Sequence, residues 1–511
     1  MPEVVLATLN AKFIHAAFGL RYLRANLGPL RDRSVIREFD INTRPLDIAE
    51  ALLEEDPRII GLGVYIWNVT ATTELVSLLK RIRPQVIIVL GGPEVSHETE
   101  GQPIVDLADY VVIGEGEVAF RTLCESLLSS QRRILTKTVQ GGLPPLGELQ
   151  LPYDEYTAAD CAHRLIYVEA SRGCPFKCEF CLSSLDEKVR QFPLPSFLAA
   201  MQQLFDRGVR HFKFVDRTFN LNIATSRAIL QFFLDHMEPG LFVHFELIPD
   251  RLPDSLREVI AQFPPGSLQF EIGIQTLNTE VEALISRRQD HDKLAHNLRW
   301  LQTETGTHLH TDLIIGLPGE DLASFARGFD TLCSFGVQEI QVGILKRLRG
   351  TPISRHQEPF ALVFSAHPPY EILSTSTIDF ATMNALRRFA RFWDIFANSG
   401  SFVQLMKLLL ALQPSPFASF FAFSKWVFGK VGKTNAIGLA RQCQLLWDYL
   451  VTDGGHDPAQ IARLMMLDLD RTGRTEPFPF LEPYIDRAEL RQRKRERLSQ
   501  APSRQSRHLD A

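Results

Sequence analysis

Short apolar runs alternate with amphipathic stretches through most of the chain. PEVVLATL (2–9) opens the series, followed by a helix-like stretch from Ala16 to Asn26 and by IREFDI (36–41). A helical stretch near 47–55, RIIGLGVYI (58–66), a helix-like stretch from Thr73 to Arg81, VIIVLGG (86–92) and YVVIGEGE (110–117) come next. Continuous Val, Ile and Leu runs read as strands covered on both faces. Strands alternating with helices make βαβ units and a parallel sheet. Residues 1–140 are expected to form one doubly wound α/β domain.

The segment GGLPPLGELQLPYDEY (141–156) is rich in Gly and Pro, and 141–160 reads as a linker. The alternation then resumes with LIYVEAS (165–171), HFKFVD (211–216), FVHFELI (242–248), SLQFEIGIQ (267–275), HTDLIIGLP (310–318) and EIQVGILK (339–346). Six strands at this spacing predict a partial (β/α) barrel over 161–358, which periodicity does not separate from a second open sheet. From about residue 360 the pattern turns helical, with helices over 377–412 and 417–451 and an extended segment FPFLEPYI (478–485), giving a mainly helical region over 359–486. The tail, 487–511, is charged and then polar, and is expected to be disordered.

Composition narrows the function. Hydrophobic residues make up 45% and charged residues 23%, as in ordinary globular proteins. A net charge of −5 argues against a large nucleic-acid surface. No apolar run reaches the roughly 18–20 residues of a membrane span. The start lacks the basic flank of a signal peptide, so the cytoplasm is the expected compartment. Four of the seven cysteines are scattered, while Cys174, Cys178 and Cys181 sit together in SRGCPFKCEFCLSS (171–184).

This Cys-x₃-Cys-x₂-Cys segment follows the first strand of the middle domain and gathers three thiolates in one loop. A 4Fe–4S cluster normally takes four cysteines, so three leave one iron open to another ligand. The alternative is structural zinc, which needs a fourth ligand. Cys161 or His163 would have to fold back to supply it.

Here the sequence resembles the radical SAM superfamily, whose hallmark is this triad after the first barrel strand. The resemblance implies that the open iron chelates S-adenosylmethionine (SAM) and that one electron breaks its sulfonium C–S bond, giving a 5′-deoxyadenosyl radical. Phe180 matches the family position that packs against adenine. FVDRTFN (214–220) stands where the family binds the methionyl end of SAM, with Asp216 and Arg217 as contacts. FEIGIQTLN (270–278) matches the fourth-strand motif, with Glu271 for a ribose hydroxyl and Gln275 on the same face. TDLIIGLPGE (311–320) matches the fifth, with Ile314 and Gly316 near adenine, and LKRLRGTPI (345–353) the sixth.

The N-terminal region resembles the flavodoxin-like cobalamin-binding domains fused to such barrels. Loops NAKFIH (10–15), GVYIWN (63–68), GGPEVS (91–96) and GEGE (114–117) follow its apolar strands, making Asn10, His15, Tyr65, Gly91, Gly92, Gly114 and Glu115 the implied cobalamin contacts. The Asp-x-His-x-x-Gly of cobalt-ligating relatives is missing around His15. The order of domains resembles a bacterial subgroup of cobalamin-type radical SAM proteins with a helical C-terminal extension. It implies an enzyme with a 4Fe–4S cluster, SAM and cobalamin as cofactors, methylating an unactivated carbon of a small molecule. Such an enzyme draws electrons from a donor such as flavodoxin or ferredoxin. Ring rearrangement or cyclisation, and a non-catalytic cobalamin/SAM-binding sensor, are the alternatives.

Overall fold

The computed structural model describes residues 1–129, 136–474, 476–485 and 504–508. Six parallel strands form the first sheet: β1 (Val4–Asn10), β2 (Ser34–Asp40), β3 (Ile59–Gly63), β4 (Ile87–Gly91), β5 (Tyr110–Ile113) and β6 (Thr138–Gln140). Their order is β2-β1-β3-β4-β5-β6. The order reverses between β1 and β3. Right-handed crossovers therefore place helices on both faces and open a crevice at the carboxyl ends of these strands. All seven residues of β1 are buried, which accounts for its unbroken apolar run. The edge strand β6 was not expected, because TVQ is too short to show a period.

The second sheet contains β7 (Ile166–Val168), β10 (His211–Phe214), β11 (Phe242–Glu246), β12 (Leu268–Gln275), β13 (His308–Ile315) and β14 (Glu339–Ile344), paired in that sequential order. All pairings are parallel. With no reversal of order, right-handed crossovers put every helix on one face, and the sheet curls into the partial barrel that the strand spacing left open. Two short strands, β8 (Ser171–Arg172) and β9 (Arg190–Gln191), pair antiparallel just beyond β7.

The C-terminal region is mainly helical, but its expected long helices are broken. The first becomes Phe380–Trp393 and Val403–Leu410, the second Pro416–Val431 and Leu439–Trp447. Gly432 ends the 416–431 helix in a left-handed cap at φ 65°. The Phe-rich stretch is core, as its helical spacing predicts: Phe417, Phe420 and Phe423 are buried. Phe417 and Phe420 pack on Phe389, and Phe417 also meets Phe329 of the barrel. Residues 478–485 are not extended. Alternating prolines fold them into turns and a short 3₁₀ helix, Glu482–Tyr484. Most of the tail expected to be disordered lies outside the described residues. Its described part, 504–508, packs under the barrel, with Arg504 2.8 Å from Glu339 and His508 Nε2 3.1 Å from the Asn398 carbonyl. Among the described residues no helix is long and apolar enough to cross a membrane.

Candidate active site and cofactor cavities

The barrel strands alternate between apolar and polar side chains. Phe212 and Phe214 of β10 pack on the outer helices through Phe233 and Phe197, while Lys213 between them meets Glu271 of β12 at 3.3 Å. His244 of β11 lies 3.0 Å from the same carboxylate. Burial raises the Glu271 carboxyl, but His244 and the Lys213 ammonium more than offset this and hold it below the ordinary carboxylate range. Burial leaves His244 itself below its ordinary value, and so neutral. On β13, His310 stands between Asp312 (3.4 Å) and Glu339 (3.3 Å). Glu246 ends β11 and is pushed up to about 7 by burial, against the pull of Arg217 2.7 Å away.

Above this interior lies the cysteine loop. β8 and β9 clamp its stem, with Arg172 opposite Arg190. The Cys174 amide donates to the Asp186 carbonyl at 2.8 Å. Gly173, at φ +91°, passes so close to Lys188 that a Cβ would lie 2.3 Å from its carbonyl oxygen. Glu179, inside the loop, is buried and accepts from Ser286 at 2.6 Å and from Arg355, with His356 Nε2 2.8 Å away. The Arg287 guanidinium approaches Cys178 Sγ at 3.6 Å.

All three cysteines line one cavity of about 250 Å³, together with Phe180, Arg217, Glu246, Glu271, Gln275, Arg287 and Asp312. Burial pushes the Cys174 and Cys178 thiols up, and Arg287 works against this at Cys178. None of the three is in a disulfide. Among the described residues no three His, Cys, Asp or Glu are drawn together around a single metal ion. The three thiols share one cavity whose lining holds no fourth Cys and no His, so this donor set fits an open cluster better than structural zinc. Cys161 and His163 belong to the helix Ala158–His163 and do not line the cavity.

Of the expected SAM contacts, Phe180, Arg217, Glu271 and Gln275 meet in this cavity. Gln275 reaches it from a β-bulge, in left-handed backbone at φ 72°. Such strain collects at functional sites. Asp216 does not line the cavity: its buried carboxylate accepts from the Ala170 amide (3.0 Å) and the Ser171 hydroxyl (2.6 Å), tying β10 to the start of the cysteine loop. Ile314 and Gly316 do not line it either, and Ile372 and Met383 cover Gly316. Lys213, His244, Glu246, Arg287, His310 and Asp312 were missed. For all but Arg287, which lies in the loop 285–290, the signal was present: HFKF, FVHFE and HLHTD alternate, whereas a strand buried between two apolar layers would not.

A second cavity, about 210 Å³, opens at the carboxyl ends of β3, β4 and β5. Gly61, Gly63, Gly91, Gly92, Gly114 and Gly116 give it walls of bare backbone, with Tyr65 and Glu115 among its lining. Gly92 is at φ +110°, where a Cβ would strike the Val64 carbonyl at 2.5 Å. At Gly114 a Cβ would meet nothing within 4 Å, so the slot exists because side chains are absent. Tyr65 stacks on the half-exposed Trp67 (4.4 Å) near the rim. A glycine slot with an aromatic edge fits the tail of a large flat cofactor whose ring lies across the rim. Asn10 and His15 are outside it. The Asn10 amide donates to Glu38 and to the His15 carbonyl, both at 2.9 Å, and His15 Nδ1 contacts the Tyr167 hydroxyl at 2.6 Å.

The two domains meet at both edges of the open barrel. His15 pairs beside Leu165, next to edge strand β7. Beyond edge strand β14, Arg349 binds Glu94 (2.9 Å) and Arg347 binds Glu98 (2.8 Å). Gly350, at φ +82°, leaves room for no Cβ beside His97. The N-terminal domain thus spans the gap between β7 and β14.

Residues 4–124 match the B12 binding domain family, 168–332 the Radical SAM superfamily, and 358–508 a family described as a protein of unknown function (DUF4080). The cobalamin-dependent radical SAM methyltransferase TokK of Streptomyces tokunonensis is 25% identical over 58% of this chain and 48% of its own length. The 2-(S-pantetheinyl)-carbapenam-3-carboxylate methyltransferase of Streptantibioticus cattleyicolor is 26% identical over 56% of this chain and 46% of its own. The chain spans about half the length of the curated relatives it matches. The structure of the radical S-adenosylmethionine methyltransferase TsrM from Kitasatospora setae, with cobalamin and a [4Fe-4S] cluster bound, superposes with a TM-score of 0.55. It is 17% identical over 72% of this chain and 76% of that one, a likeness of fold.

Proposed function

We propose, from the matches of residues 4–124 to the B12 binding domain family and of 168–332 to the Radical SAM superfamily, that the chain is a cobalamin-binding radical SAM methyltransferase acting on a small molecule at an unactivated carbon. The observation that carries this reading is the pair of cavities, one ringed by three thiols and one walled by glycines, in domains locked together across the open barrel. When bound, the cluster supplies the electron that cleaves SAM and cobalamin supplies a methyl carrier.

Cys174, Cys178 and Cys181 hold the cluster. Arg217 pairs with the SAM carboxylate, as it now pairs with Glu246. Glu271, kept ionised by Lys213 and His244, accepts from a ribose hydroxyl. Phe180 packs on the adenine and Gln275 adds an amide. Tyr65, Gly91, Gly92, Gly114 and Glu115 receive cobalamin. His15, which lacks the Asp-x-His-x-x-Gly context and contacts Tyr167 through Nδ1, would not ligate the cobalt. Both curated relatives are named as methyltransferases, which favours methyl transfer over ring rearrangement. A low-potential donor such as flavodoxin or ferredoxin, in a reducing compartment such as the cytoplasm, completes the proposal.

The test is to incubate the reconstituted protein with methyl-labelled SAM and a metabolite extract under anaerobic reduction. Label should enter a carbon-methylated product. It should not do so with Gly91→Leu, which fills the slot. Cleavage of SAM with no label transfer in any fraction would overturn methylation.

A further inference from the structure

The wall of the glycine-lined cavity and the stem of the cysteine loop share one buried ion cluster. Glu115 lies in the loop after β5 and lines the cavity, as does Glu117. Arg172 of β8 reaches Glu115 at 3.2 Å and Glu117 at 2.8 Å, and holds Glu169 of its own domain at 2.9 Å. Arg190 of β9 pairs with Glu115, reaches Asp186 at 3.3 Å and donates to the Pro144 carbonyl at 3.2 Å.

These arginines are the two facing residues of the ladder from which the cysteine loop springs. Asp186 is inside that loop, and its carbonyl accepts the Cys174 amide at 2.8 Å. The Arg172 guanidinium lies over the Tyr22 ring at 4.6 Å, so it is fixed in plane as well as in charge. The side chains of Arg172, Glu115 and Glu117 are 13%, 17% and 6% exposed. A buried charge that loses its partner is strongly unfavourable, so the loop after β5 and the loop stem must move together.

We propose that Arg172 and Arg190 are positioning residues that couple the two cofactor sites, so that filling the N-terminal cavity and loading the three cysteines stabilise each other. The inference rests on the reading that these cavities take cobalamin and an iron–sulfur cluster. Cobalamin ordering the loop around Glu115 fixes the arginines, and these hold the cysteine stem in its clamped form. Linkage makes the effect reciprocal, with couplings typically about 5- to 150-fold.

Arg190 lines neither cavity, so replacing it perturbs the coupling without removing a ligand. The experiment measures hydroxocobalamin affinity of the full chain, with and without the reconstituted cluster, in wild type, Arg190→Gln and Arg190→Lys. In wild type the cluster should tighten cobalamin binding by about five-fold or more. Cobalamin should raise by the same factor the chelator concentration that removes half of the iron at equilibrium. Arg190→Gln should bind both cofactors with the two effects collapsed towards one-fold, and Arg190→Lys should restore part of them. Equal cobalamin affinity in the two wild-type states overturns the coupling and leaves the cofactor reading standing. Arg190→Gln that retains the full effect overturns the positioning role of Arg190 and leaves the cofactor reading standing. Absence of cobalamin binding by wild type in both states overturns the reading and the coupling together.

Discussion

His15 Nδ1 lies 2.6 Å from the Tyr167 hydroxyl, a contact that joins the first loop of the N-terminal domain to the first barrel strand. Burial, Lys12 and Lys213 all lower the His15 imidazole below its ordinary value, so it is neutral. Burial and Glu271 push the Tyr167 phenol up to about 12, so it is protonated and the contact joins two neutral groups. One ring nitrogen of His15 is therefore engaged at the domain interface.

Replacing this histidine accordingly tests interface and cofactor separately. His15→Ala should leave the spectrum of bound cobalamin nearly unchanged. It should cost about 0.5–1.5 kcal/mol of stability, the usual worth of one hydrogen bond, read as a lower midpoint of thermal unfolding. A change in electron paramagnetic resonance from nitrogen-ligated to base-off cobalt would contradict the unligated reading.

Glu271 faces the barrel cavity from the middle of β12. Glu271→Gln keeps the shape and removes the charge. It should weaken SAM binding by about 1.5–3 kcal/mol, roughly tenfold or more, because the lost hydrogen bond is charge-assisted. Iron content should stay unchanged. Loss of iron without loss of SAM affinity would show that the carboxylate serves the fold.

The His310 imidazole gives a pH signature. Burial lowers it, but Asp312 and Glu339 more than reverse this and raise it to about 10. A base raised in the folded state contributes stability that is fully present below its unfolded value near 6.5 and is lost as pH rises through about 10. The unfolding midpoint of the wild type should fall between pH 7 and 10 more steeply than that of His310→Gln. Equal slopes would mean that His310 is neutral inside the barrel.

Much of this was legible in the chain. Most strands of the first sheet announce themselves as apolar runs and those of the barrel as alternating ones, and the three cysteines are found by spacing alone. β6 was missed because three residues carry no period. The broken C-terminal helices were missed because the Phe stripe hides the turn at Gly432. Asp216 stands at the position where the family contacts SAM, yet its carboxylate is consumed by local backbone. The loops after the strands bring Gly91, Gly92, Gly114 and Glu115 to one slot but not Asn10, because two neighbouring acceptors draw its amide away from it. Position along a strand sets the level of a residue, and only the competing partners set where its side chain goes.

The central claim is that three cysteines in one barrel cavity hold a cluster that cleaves SAM. The direct measurement is iron, sulfide and 5′-deoxyadenosine in anaerobically reconstituted protein, compared with a variant carrying Cys174→Ala, Cys178→Ala and Cys181→Ala. The account predicts about four iron and four sulfide per chain with reductant-dependent 5′-deoxyadenosine in the wild type, and loss of all three in the variant. Stoichiometric zinc with no iron uptake, or 5′-deoxyadenosine formation that survives in the variant, would contradict it.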